Sequence, residues 1–139
     1  MKIYVASSWR NTRYEEVCKQ LTEAGHIILD WRKNGFRWSD VLDKPTDQWT
    51  LEDKMKVFSS DLPLLAFHND YMLMREAHVG VLLLPCGKSA HLEIGHMSAT
   101  KPTFVLEEVA DTPELMYYLC TRSCISITEL LIGIDRLHL

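Results

Sequence analysis

Residues 79–84 read Val-Gly-Val-Leu-Leu-Leu. A run that is aliphatic without alternation cannot have one wet face, so it predicts a central parallel strand covered by helices on both sides. The rest of the chain supplies the expected partners. Lys2–Ala6 and His26–Trp31 read as strands, with an intervening helix from Thr12 to Ala24 whose Tyr14, Val17, Cys18 and Leu21 fall on one face and which stops at Gly25. A polar, Trp-rich stretch from Arg32 to Thr50 reads as a long loop or lid. Helices are predicted over Leu51–Ser59, Leu62–Ala77, Ser89–Ala99, Thr112–Leu119 and Thr128–Leu137, and further strands over Thr103–Leu106 and near Ile125. Alternating strands and helices with short connections imply an α/β three-layer sandwich, flavodoxin-like or Rossmann-like, on a mostly parallel sheet of about five strands. The 139 residues are expected to form a single domain, 1–139.

Composition excludes several classes of function. A net charge of −4 leaves no basic face for a nucleic-acid backbone, although a small anion needs only one Arg and a few N–H groups. No segment approaches the roughly 20 apolar residues of a membrane span, and Met1-Lys2-Ile3-Tyr4 lacks a signal-peptide pattern, so a cytoplasmic protein without membrane partner is expected. Cys18, Cys86, Cys120 and Cys124 form no CxxC pair, and His91 and His96 stand five apart rather than the four of helical metal ligands. Neither a disulfide nor a metal is expected. Cys86, beside the candidate site, is the one thiol whose reactivity is worth testing, against the plainer reading of a residue closing a strand.

Open parallel sheets bind ligands at the carboxyl ends of their strands, where the strand order reverses. Two loops answer that description: Ala6-Ser7-Ser8-Trp9-Arg10-Asn11-Thr12-Arg13, and Pro85-Cys86-Gly87-Lys88-Ser89-Ala90-His91-Leu92-Glu93. Cys86-Gly87-Lys88-Ser89 resembles the end of a P-loop, but the Gly required five residues before Gly87 is Leu82. The first strand is not followed by GxGxxG either. The first loop has hydroxyls, amides and Arg10 or Arg13 at a helix start, which suits an anion; the alternative is that Asn11 or Thr12 caps the helix and the arginines are solvated.

Three separated pieces of the chain then carry a resemblance: Lys2–Trp9 (KIYVASSW), Phe67–Tyr71 (FHNDY) and Ser89–Leu106 (SAHLEIGHMSATKPTFVL). In order and spacing they resemble the nucleoside 2-deoxyribosyltransferase family, whose relatives include the 2′-deoxynucleoside 5′-phosphate N-hydrolases; the resemblance fades after Leu106. It implies that Glu93, in Glu93-Ile94-Gly95, is a nucleophile toward the anomeric carbon of the sugar. It further implies that Asp70, in Asn69-Asp70, assists the leaving base or the sugar, that Tyr4 orients Glu93, and that Trp9 packs on the base. Ser7, Ser8, Arg10, Asn69, Gly87 and Ser89 are the accompanying substrate-binding candidates. One family acid falls at Gly87, so a carboxylate that contacts the base in transferases is missing here.

The chemistry fits those residue types. Breaking an N-glycosidic bond develops positive charge on the sugar and negative charge on the base, which wants an ionised carboxylate at C1′ and a proton donor at the base. Glu93 near a helix start and a Tyr4 hydroxyl suit the first role; Asp70 among apolar neighbours suits the second. Each has a plainer reading: Glu93 as a helix-dipole partner, Asp70 solvated, Tyr4 and Trp9 in the core. His91 and His96 read as supporting or surface histidines, and Trp31, Trp38 and Trp49 as packing or lid residues. The expected function is cleavage or transfer at the N-glycosidic bond of a (deoxy)nucleoside or nucleotide through a glycosyl-Glu93 intermediate. Phosphate-requiring hydrolysis of the N-hydrolase kind is the alternative; a non-catalytic nucleotide-sensing domain is the reading from a different class. No cofactor is implied. The partner expected is the small nucleoside or nucleotide itself, and the resemblance implies a homo-oligomer, a dimer or larger.

Overall fold

The aliphatic run forms β3 (Val79–Leu83), and every one of its residues is buried. In the computed structural model, which describes residues 1–138, it pairs in parallel with β1 (Lys2–Ala6) on one side and β4 (Thr103–Leu106) on the other. β2 (Ile27–Ile28) and β5 (Arg122–Cys124) are the edges, giving the all-parallel order β2-β1-β3-β4-β5. That order reverses between β1 and β3, the switch point at which such sheets open a crevice. The α/β three-layer fold expected from the sequence is the one observed.

Register divides the residues between the faces. Tyr4, Gly80 and Thr103 are successive cross-strand partners and share one face; Val5, Val81 and Phe104 share the other. Helix α4 (Lys88–Ser98) covers the first, turning Ala90, Ile94 and Met97 inward. Its approach needs Gly80, because a Cβ there would lie 2.9 Å from the Ile94 Cδ1. Helix α5 (Ile127–Asp135) covers the second face with Leu130, Gly133 and Ile134, and a Cβ on Gly133 would meet the Phe104 ring at 2.7 Å. Helix α1 (Tyr14–Glu23) buries Tyr14, Val17 and Leu21 and ends in a Schellman turn: the Gly25 N–H donates to Thr22 O, and the His26 N–H to Leu21 O. Gly25 takes a positive φ of 92° there, which a side chain would resist.

Two compact units divide the chain: Met1–Asp30 together with the stretch beginning at Glu76, and Trp31–Arg75. The first holds the sheet, α1, α4 and α5. The second holds α2 (Leu51–Phe58) and α3 (Asp61–Glu76) as far as Arg75. Helix α2 starts with a capping box, Thr50 and Asp53 each accepting from the other's backbone N–H. The stretch before it is not the plain loop expected. It folds into three short 3-10 turns, Trp31–Asn34, Trp38–Asp40 and Thr46–Gln48, gathered by Trp38, whose ring packs edge-on against Phe36 and Trp49 and lies 5.6 Å from Phe58. Trp38 and Trp49 are thus packing residues.

Two other expectations are corrected. The strand expected over His26–Trp31 is only Ile27–Ile28, since it has a partner on one side alone and Trp31 already begins a 3-10 turn. The helix expected over Thr112–Leu119 is a single 3-10 turn, Leu115–Leu119. Its Leu115, Met116, Tyr118 and Leu119 are all exposed, so no apolar face is buried to stabilise a longer helix.

Candidate active site

Tyr4 sits in the middle of β1, wholly buried on the face that α4 covers. Its phenol O–H donates to Glu93 Oε2 at 2.9 Å, joining residues 89 positions apart. Glu93 is half-buried in the second turn of α4. The helix dipole acts mainly within the first turn, so it is the Tyr4 bond more than the dipole that fixes this carboxylate. A rotamer held by a buried donor is pre-organised for attack on a carbon placed beside it.

The loop after β1 is less open than its composition suggests. Ser7 Oγ donates to Leu83 O at 2.9 Å, and Ser8 Oγ accepts from the Arg10 N–H at 3.2 Å. The Arg13 guanidinium forms a two-pronged pair with Glu108, both bonds at 3.0 Å, which raises its pKa further. Arg13, although exposed, is therefore engaged by Glu108, and Arg10 is exposed like the half-exposed Trp9 (47%). Across the switch point, Gly87 forms the N-cap of α4 and offers no side chain to cap it. A Cβ at Gly87 would meet nothing within 4 Å, so this position opens on free space. Ser89 follows, exposed in the first turn.

His91 is fully occupied. Its Nδ1 lies 2.8 Å from Gly87 O, which can only accept, so Nδ1 carries a proton, and Nε2 is hydrogen-bonded with the Tyr117 hydroxyl at 3.0 Å. His96 is exposed. Among the described residues no group of three or more His, Cys, Asp or Glu is arranged to hold a metal ion.

Cys86 is half-buried, its Sγ 3.7 Å from His91 Nδ1. Burial, with the negative charge of Glu93 second, pushes its thiol from 9.0 up to about 12. The upward shift favours the protonated thiol. At pH 8 its thiolate fraction is lower by about a thousandfold than that of an ordinary cysteine, and alkylation by iodoacetamide, followed by peptide mass spectrometry, is expected to be slower in proportion. Labelling of Cys86 as fast as that of a free thiol would overturn this.

A cleft of about 660 Å³ flanks α4, between Lys88, His91, Leu92 and Gly95 on the helix and Met116 and Tyr117 on the 3-10 turn. Those helix positions lie on the side of α4 away from Glu93, so this cleft opens on a different side of the helix from the Tyr4–Glu93 pair.

In the second unit, Asn69 and Asp70 are half-buried on α3. Burial raises the Asp70 pKa, opposed by a side-chain hydrogen bond from Asn34. A carboxyl that keeps its proton to higher pH is suited to donate one. Sequence reasoning missed Asn34, which the Trp-rich stretch concealed, and it missed Tyr117, which no motif marks.

No protein-family model matches the chain, and no curated protein matches it in sequence. Solved structures do match. A 2-deoxyribosyltransferase from the psychrotolerant bacterium Bacillus psychrosaccharolyticus superposes with a TM-score of 0.63 at 18% identity, over 94% of this chain and 90% of that one. The fold is that of a 2-deoxyribosyltransferase. The Clostridium botulinum CMP N-glycosidase BcmB shares it, with a TM-score of 0.56 at 18% identity over 97% of this chain and 99% of its own. On the 2-deoxyribosyltransferase fold the likeness runs nearly the full chain, including the part after Leu106 where the sequence resemblance fades. No helix among the described residues is long and apolar enough to cross a membrane.

Proposed function

We propose that this protein cleaves or transfers the N-glycosidic bond of a (deoxy)nucleoside or nucleotide, with Glu93 as nucleophile. The observation that carries the reading is the bond from the buried Tyr4 hydroxyl to Glu93 Oε2 at the switch point of the sheet. A Glu93 oxygen attacks C1′ as the C1′–N bond breaks, and that electron pair leaves with the base. Asp70, whose raised pKa favours the protonated form, supplies the proton that neutralises the base nitrogen. An incoming base or a water then attacks C1′, breaking the C1′–O bond to Glu93 and freeing its carboxylate, while the N–H proton of the base or a proton of the water passes to Asp70 and restores the acid. The fold shared with both a transferase and a CMP N-glycosidase supports the bond class and leaves the acceptor to experiment. The open space at Gly87 favours hydrolysis, because no carboxylate is held there to grip an acceptor base.

The test is chromatography of reactions with a panel of nucleosides and 5′-monophosphates, with and without an added free base. Release of base by the wild type supports the reading, and formation of a new nucleoside marks transfer. The pH dependence has a defined sign. Release is expected to fall as pH rises through the raised Asp70 pKa, and Asp70→Asn is expected to remove that limb while lowering kcat about 10²- to 10⁴-fold. No release from any member of the panel by a folded sample would overturn the reading in favour of a sensing domain.

A further inference from the structure

Asn11 is one of two buried polar residues among those described, 6% exposed, and it lies past the end of β1. Its Oδ1 accepts from the Arg13 N–H at 2.8 Å, its Nδ2 donates to Pro85 O at 3.1 Å, and its own N–H donates to Ser8 O at 3.0 Å. A carbonyl can only accept and a backbone N–H only donate, so the carboxamide has one orientation. This single side chain ties the loop after β1 to the loop after β3, the pair that flanks the switch point.

The second loop launches α4. Pro85 stands two residues before the N-cap Gly87 and eight before Glu93, and Gly87 O is gripped in turn by His91. Tyr4 belongs to β1 and Glu93 to α4, so their 2.9 Å bond survives only while the start of α4 keeps its place against β1. Ser7 adds a parallel tie, from the end of β1 to Leu83 O. The Arg13–Glu108 pair is exposed on the Arg13 side and adds little, as surface ion pairs generally do.

We propose that Asn11 is a positioning residue for Glu93, its carboxamide holding the loop that starts α4 at the place where the Tyr4 hydroxyl meets the carboxylate. The catalytic consequence rests on the reading of Glu93 as nucleophile; the tie between the loops does not. The rival role is that Asn11 only closes the turn leading into α1. Asn11→Asp separates the two, because it keeps an acceptor for the Arg13 N–H and removes the donor to Pro85 O.

The experiment measures kcat and KM for base release by the wild type, Asn11→Asp, Tyr4→Phe and the double variant. Alongside, amide hydrogen exchange is followed in peptides covering 84–93 and, as reference, 14–23. Expected for Asn11→Asp are a kcat lower by about 10- to 100-fold with KM within about threefold, since small misplacement of a reacting group costs on that scale. Exchange over 84–91 is expected to quicken by at least about tenfold while 14–23 is unchanged. The double variant is expected to be no slower than the worse single variant within about threefold, because both changes act on one contact. Effects that multiply in the double variant, or exchange that quickens at 14–23 with 84–91 unaltered, would overturn the proposal. If the wild type releases no base, the Glu93 reading fails, and exchange alone decides: faster exchange over 84–91 keeps the tie, unchanged exchange removes it. Should Asn11→Asp not fold, Asn11→Ser, which keeps a short acceptor and loses the Nδ2 donor, is read by the same outcomes.

Discussion

Glu93→Gln is expected to lower kcat for base release by at least about 10³-fold while leaving the fold intact. The substitution removes the charge and nucleophilicity of the side chain but keeps its shape. Its amide oxygen still accepts from the Tyr4 O–H, so the buried phenol is not orphaned and the stability change stays within about 1 kcal/mol. The measurement is a time course of free base by chromatography, under single-turnover conditions so that product release does not mask the chemical step. Retention of a tenth of the wild-type rate would show that the carboxylate is not the nucleophile. A loss of rate accompanied by unfolding would leave the fold, rather than the chemistry, as its cause, and circular dichroism on the same sample separates the two.

Phe104→Ala is expected to cost about 3–5 kcal/mol, a large share of the 5–15 kcal/mol that holds a typical domain. Phe104 is 1% exposed, on the face of the sheet covered by α5, and its ring fills the space left by Gly133 so closely that a Cβ there would collide with it. Removing the ring loses its burial and opens a cavity that a helix pinned at both ends of its inward face cannot collapse to fill. Chemical denaturation provides the measurement. Leu119→Ala, on an exposed side chain, serves as the control and is expected to fall within about 0.5 kcal/mol of wild type. A loss under about 1 kcal/mol at Phe104 would show that α5 does not seal this face.

What the sequence discloses follows from where the physics is local. An unalternating aliphatic run has one stable setting in an α/β chain, so Val79–Leu83 and its neighbours β1 and β4 are legible at once. β2 is misjudged because its length depends on the strand beside it: after Ile28 the ladder continues only as the Leu29 N–H to Ile3 O before the chain turns away. Thr112–Leu119 carries helical spacing, yet its apolar side chains find no surface to cover, and spacing alone does not reveal that.

The candidate site divides the same way. Tyr4 and Glu93 are legible because a recognisable motif carries each, and their contact is a consequence of the fold. Asn11 is not. In the sequence it is one polar residue in a polar loop, suited to capping a helix, and nothing in its surroundings points to Pro85, 74 residues further on. Arg13 misleads in the opposite sense, since its charge suits an anion until Glu108 is found to occupy it.

The central claim is a covalent glycosyl-Glu93 intermediate, and the most direct measurement is mass spectrometry of the protein trapped with a 2-fluoro-substituted nucleoside, whose glycosyl-enzyme turns over slowly. The account predicts a mass increase equal to one fluorinated pentosyl group, located by peptide mapping to Glu93 and absent from Glu93→Gln. An enzyme that releases base yet carries the adduct on another residue, or carries none under conditions where release has stalled, would contradict it.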